Sequence, residues 1–143
     1  MMRKISCLII LVFSSAIGFA QHNTLTVNIT GINEINGDVY IYLYASEKGF
    51  PINISKASKS KKVKVTKESL SVSFKDVAPD IYAVSVYHDI DGNEEINQNF
   101  LGIPKEPVGV SNNATGFMGP PKYEDAIFKL QNSKQITINL KKQ

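Results

Sequence analysis

Residues 89–97 read Asp-Ile-Asp-Gly-Asn-Glu-Glu-Ile-Asn, which sets oxygen-bearing side chains at the first, third, fifth and ninth positions. A calcium loop requires that alternation, because alternate residues converge on one ion while the chain curls round it. The expected side-chain ligands are Asp89, Asp91, Asn93 and Asn97, with Glu95 offering its backbone carbonyl and Ile96 anchoring the loop. Two departures exclude an EF-hand: Glu94 stands where that loop needs glycine, and Phe100 stands where it needs a bidentate glutamate. Two readings remain. One is a looser extracellular calcium loop, with a dissociation constant on the order of 10⁻⁴–10⁻³ M. The other is a tight acidic turn in which Asp and Asn cap backbone amides. Calcium is the one cofactor that the sequence suggests.

The remaining chemistry is sparse. His22 and His88 are the only histidines. His88 precedes Asp89, but neighbours on a strand point to opposite faces, so the dipeptide is not an orienting pair. There is no Gly-x-Ser-x-Gly, His-Glu-x-x-His or glycine-rich phosphate loop, so no catalytic residue is assigned and an enzyme is not expected. Glu106, Glu124 and Asp125 could supply the carboxylate pair of a carbohydrate-active hydrolase, which is the alternative to a binding role. A purely structural envelope protein is a third reading. Asn112, Asn113, Phe117 and Tyr123 could line a ligand pocket or satisfy loop backbone groups. Tyr40, Tyr42 and Tyr44 form a ladder that either stacks outward on a sugar or partner, or packs beneath a covering segment.

The elements that must position these residues alternate with period two. Leu25, Val27 and Ile29 alternate with Thr24, Thr26, Asn28 and Thr30; Val39, Ile41 and Leu43 alternate with the three tyrosines after an Asn36-Gly37 turn. Leu70, Val72 and Phe74, then Tyr82, Val84, Val86 and His88, then Phe128 and Leu130, and finally Ile136, Ile138 and Leu140 repeat the pattern. The expected fold is all-β: a single antiparallel sandwich of about seven strands, prealbumin-like or immunoglobulin-like. Residues 51–68 carry six lysines among serines, which reads as a solvated loop and a lysine-guarded edge strand. Residues 89–124 hold four prolines and five glycines and read as a long ordered excursion. Its apolar members, Phe100, Leu101, Ile103, Val108, Val110, Phe117 and Met118, are expected to pack.

The N-terminus reads as a cleavable leader over residues 1–20. Arg3 and Lys4 precede an uncharged stretch of sixteen residues that ends with Gly18 and Ala20 ahead of Gln21. Removing those residues from 143 leaves a domain of 123, residues 21–143. It also takes the one cysteine, Cys7, and lowers the formal charge from +3 to +1. Disulfides, thiolate chemistry and cysteine metal sites are thereby excluded from the mature chain. The near-neutral charge, and the lack of aromatics among the lysines, exclude nucleic acid as a partner. The expectation is an exported protein, periplasmic or secreted, with no transmembrane anchor after cleavage. Its partner would be a glycan or another envelope component.

The chain resembles an uncharacterized family of exported bacterial proteins, domain-of-unknown-function family 2141, over roughly residues 24–141. The resemblance rests on Leu25-Thr26-Val27, on Gly49-Phe50-Pro51, and on the run from Ile81 to Asp89. It continues through Asp91-Gly92-Asn93, the run from Leu101 to Glu106, and the run from Gly109 to Ala114. Gly119-Pro120-Pro121 and Tyr123-Glu124-Asp125-Ala126 complete it. Two positions depart from that family's pattern: Asp80, in a turn where the family has glycine, and Glu94, where it favours a second glycine in the acidic loop. The resemblance implies an envelope-located sandwich of the prealbumin-like kind and supplies no activity.

Overall fold

Stretches in which β-branched and aromatic residues alternate with polar ones form eight strands in the computed structural model, which describes residues 22–143. The leader expected over residues 1–20 lies outside the described residues. In chain order the strands are β1 (Asn23–Thr30), β2 (Asp38–Tyr44), β3 (Lys59–Lys64) and β4 (Leu70–Val77). They continue with β5 (Asp80–Asp89), β6 (Val108–Val110), β7 (Phe128–Leu130) and β8 (Lys134–Asn139). A four-residue helix, α1 (Tyr123–Ala126), lies between β6 and β7.

The strands make two sheets. One has the order β4-β1-β8; the other runs β3-β2-β5-β6, with β7 pairing the start of β5. Leu25, Val27 and Ile29 of β1 are wholly buried against Val39, Ile41 and Leu43 of β2 and Val84 and Val86 of β5, so the main core lies between the sheets. Burying each such side chain is worth about 1.5–3 kcal/mol. That core serves a domain whose described residues contain no cysteine.

The architecture is all-β and sandwich-like, with three corrections to the sequence expectation. There are eight strands rather than about seven. The one not anticipated is β6, only three residues long inside the stretch read as a strandless excursion. The sheets are not wholly antiparallel, because β8 runs parallel to β1, with Leu25 opposite Lys134 and Thr30 opposite Asn139. These two strands stand at opposite ends of the chain and are joined by no hairpin, so no local turn dictates their relative direction. Third, the apolar residues of the excursion do not all pack. Val110 is buried, but Phe100, Phe117 and Met118 are more than nine-tenths exposed, and Leu101 and Ile103 are exposed as well.

The lysine-rich segment contributes β3, the edge strand beside β2, whose four lysines are all exposed. Charged side chains on an open edge discourage pairing with another sheet. Among the described residues no helix is long and apolar enough to cross a membrane.

Candidate metal centre

Strand β5 brings its two faces to different tasks. Tyr82, Val84, Val86 and His88 face the inter-sheet core, while Ala83, Ser85, Tyr87 and Asp89 face the opposite side. His88 and Asp89 are therefore back to back, both fully buried. The His88 Nε2 lies 2.6 Å from the Asn36 carbonyl oxygen, which ties the end of β5 to the turn before β2. Gly37 in that turn takes φ +71°, and a Cβ there would lie 1.9 Å from the Asp89 carbonyl oxygen. The turn is thus pressed against the backbone that carries the first acid.

From Asp89 onward the chain curls through successive side-chain caps. Asp89 Oδ1 accepts from the Gly92 amide at 3.0 Å and its Oδ2 from the Glu94 amide at 2.9 Å. Asp91 Oδ1 accepts from the Asn93 amide, and Asn93 Oδ1 from the Glu95 amide. Glu94 adopts φ +64°, the left-handed conformation for which glycine is the easy residue. Its side chain turns outward to an exposed ion pair with Lys62 at 2.9 Å, which holds the Glu94 carboxyl below its ordinary range.

The curl brings Asp89 and Asp91 beside a third acid, Glu106, with one oxygen of each lying within 4.8 Å of the others. Glu106 arrives from the far end of the excursion, one residue before Pro107, whose carbonyl accepts from the His88 amide at 2.9 Å. Glu106 is 7% exposed. Its Oε1 accepts from the Ile90 amide at 2.9 Å, whereas no donor meets its buried Oε2 in hydrogen-bonding geometry. Burial pushes the Glu106 carboxyl above the ordinary glutamate range, and the charges of Asp91 and Asp89 push the same way. Among the described residues no ion pair reaches any of the three acids.

Two of the five residues expected as metal ligands, Asp89 and Asp91, enter this cluster; Glu95 is not among its carboxylates. Asn93 and Asn97 are engaged with each other and with Asp91: Asn93 Nδ2 donates to Asn97 Oδ1 at 2.8 Å, and Asn97 Nδ2 donates to Asp91 Oδ2 at 3.0 Å. The amide caps do not use up the acids, since a carboxylate has about four lone-pair sites. Oxygens on opposite sides of a calcium ion stand about 4.6–5.2 Å apart, twice the metal–oxygen distance. The spacing of the three acids fits an ion of that size. The sequence offers Glu106 as an acid for hydrolysis and not as a metal ligand, and nothing in its neighbourhood signals a partnership with residues fifteen and more positions away.

The other candidate residues fall elsewhere. Tyr42, Tyr44 and Tyr87 are buried, and the rings of Tyr40 and Tyr87 stack at 4.8 Å with planes 2° apart. Phe50, Ala57, Ile96, Val108 and Tyr123 cover this face, so the ladder is a second core and not an open platform. Burial raises the phenol pKa of Tyr42, Tyr44 and Tyr87. Asn112 Nδ2 donates to the carbonyls of Asp125 and Ile127, at the end of α1, and Asn113 Oδ1 accepts from the Asn139 amide of β8, so both fasten one chain segment to another. Phe117 projects into solvent.

Tyr123 and Phe50, with rings 5.6 Å apart, line an open cleft of about 440 Å³ bordered by Glu47, Pro120, Pro121, Lys122 and Glu124. Of the acids considered for hydrolysis, Glu124 borders this cleft, Asp125 is exposed on α1, and Glu106 stands with Asp89 and Asp91.

No curated protein matches this chain, and no solved structure does. A family comparison matches residues 27–138 to a family described as an uncharacterized protein conserved in bacteria, DUF2141. That match spans most of the chain and nearly all of both sheets, and the chain belongs to the DUF2141 family.

Proposed function

We propose that this protein is an exported binding or accessory module, a sandwich of the prealbumin-like or immunoglobulin-like kind, that holds a calcium ion at Asp89, Asp91 and Glu106. Its partner is a glycan or another component of the cell envelope. One observation carries the calcium reading: the buried Glu106 Oε2 has no donor while two further carboxylates stand beside it. A buried charge of this kind needs a counter-charge or a proton. Three carboxylates with carbonyls or water completing the shell suit a hard cation that takes six to eight oxygens. A purely capping role accounts for Asp89, for Asp91 and for the Oε1 of Glu106, which accepts from the Ile90 amide, but not for the buried Glu106 Oε2.

Calcium that binds only the folded chain stabilises it by mass action. With a dissociation constant near 10⁻⁴–10⁻³ M, 10 mM calcium adds about 1.4–2.7 kcal/mol. For a domain of this size the thermal midpoint is then expected to rise by about 5–10 °C. Equilibrium dialysis of the purified protein with radiolabelled calcium, beside thermal melts in calcium and in chelator, reads both quantities. Absence of bound calcium together with an unmoved midpoint would reject the reading.

A further inference from the structure

Asp89 is the last residue of β5 and Glu106 stands two residues ahead of β6, so these acids flank the neck of one excursion, residues 90–105. Within it a miniature hairpin is closed by its own amides. Asn99 N donates to Ile103 O, Gly102 N to Asn99 O, and Lys105 N to Asn97 O, while Ile103 N donates to Asn99 Oδ1. Its tip carries Phe100 and Leu101 into solvent. The contacts that fasten this unit to the body gather ahead of the hairpin, at residues 90–96. Ile96 rests on the tyrosine face, and Glu94 pairs with Lys62 while its carbonyl accepts from the Tyr87 hydroxyl at 3.5 Å. The Ile90 amide reaches Glu106, the Ile90 carbonyl accepts from Asn36 Nδ2 at 3.4 Å, and Asp89 accepts from the Gly92 and Glu94 amides. Such a segment opens locally at much lower free energy than the core.

Resting on the calcium reading above, we infer that the cation is a clasp: bound by Asp89 and Asp91 on one side of the neck and by Glu106 on the other, it fastens the 97–105 hairpin to the sheet. The acids alone would not carry this. The independent observation is the Glu106 side chain, more than nine-tenths buried, with an unpartnered oxygen among the other two carboxylates. An ion there bridges two segments separated by the whole excursion. Opening the hairpin at its neck then requires giving up a ligand, so the opened state loses the ion. The consequence for function is that calcium fixes where the apolar Phe100–Leu101 tip is presented.

Amide hydrogen exchange on the full protein tests this, with calcium binding measured on the same preparation. At calcium ten times its dissociation constant, opening that releases the ion is suppressed about tenfold. The amides of Asn99, Gly102, Ile103 and Lys105 are expected to exchange about tenfold more slowly. Those of Ala114 and Asp125, bonded within other turns, are expected not to change. Both the binding and the slowing are expected to disappear in Glu106→Gln and in Asp91→Asn. The second variant alters an exposed side chain and keeps the test alive if the first does not fold. Calcium that binds but slows all six amides equally, or none, overturns the clasp and leaves the site standing. If no calcium binds, site and clasp fall together.

Discussion

At the scale of single residues, Glu106 is under opposing demands that solution conditions can separate. Its carboxyl is held above the ordinary glutamate range by burial first, and by Asp91 and Asp89 second. A raised folded-state value means that the protonated form favours folding. That contribution is complete below the ordinary value of 4.5 and is lost as pH rises through the raised one. Glutamine has the shape of the protonated acid at every pH. In chelator, Glu106→Gln is therefore expected to match the native protein near pH 4 and to become the more stable of the two as pH approaches neutrality. In saturating calcium the order at neutral pH is expected to reverse, because only the native protein gains the ion. Urea midpoints across pH, with and without calcium, check both limbs. Two of the three acids of this site are legible in the sequence. The Asp-x-Asp spacing puts Asp89 and Asp91 on one curl because they are local to one another. Glu106 joins them only through the path of the excursion, which residue spacing does not encode.

At the scale of elements, alternation marks six of the eight strands because one face of each is buried, and a period of two has few other causes; β3 shows instead as a lysine-guarded edge. Alternation misses β6, whose Val108-Gly109-Val110 lies inside a stretch punctuated by prolines and glycines that reads as a loop. It is equally silent on direction, so the parallel β1–β8 pairing was invisible. The Asn36-Gly37 turn was legible as a turn, but not its role as the wall behind Asp89. That role makes a comparison of two glycines informative. Gly37 and Gly92 both have positive φ, +71° and +74°, so alanine is strained at either position by about 1–2 kcal/mol. A Cβ at Gly92 meets nothing within 4 Å, whereas at Gly37 it would collide with the Asp89 carbonyl. Gly92→Ala is expected to cost only the backbone strain, and Gly37→Ala at least about 2 kcal/mol more, since backbone must move. Equilibrium unfolding of the two variants in chelator measures the difference without a contribution from calcium. Similar losses would mean that the turn does not brace the end of β5.

For the whole molecule, two sheets in an open sandwich leave strand edges that a closed barrel would not. The five-stranded sheet ends at β3, where unpaired backbone groups face outward along a six-residue strand. Four of those six residues are lysines, and all four are exposed. Two have further contacts that confine them: Lys62 lies over the Tyr40 ring and pairs with Glu94, and Lys61 lies over Phe74. Lys59 and Lys64, at the strand ends, have no ion-pair partner within reach among the described residues, so their removal tests edge protection with little disturbance elsewhere. Valine favours the strand and carries no charge. The double variant Lys59→Val/Lys64→Val is therefore expected to fold with a near-native midpoint but to associate through β3. Sedimentation equilibrium should show its average mass climbing with concentration more steeply than that of the native protein. High salt should narrow the gap, because screening weakens the repulsion that the native lysines supply. If the variant's mass shows the native dependence on concentration, the lysines are only solvating a loop-like edge, and protection must come from the twist or shortness of β3 itself.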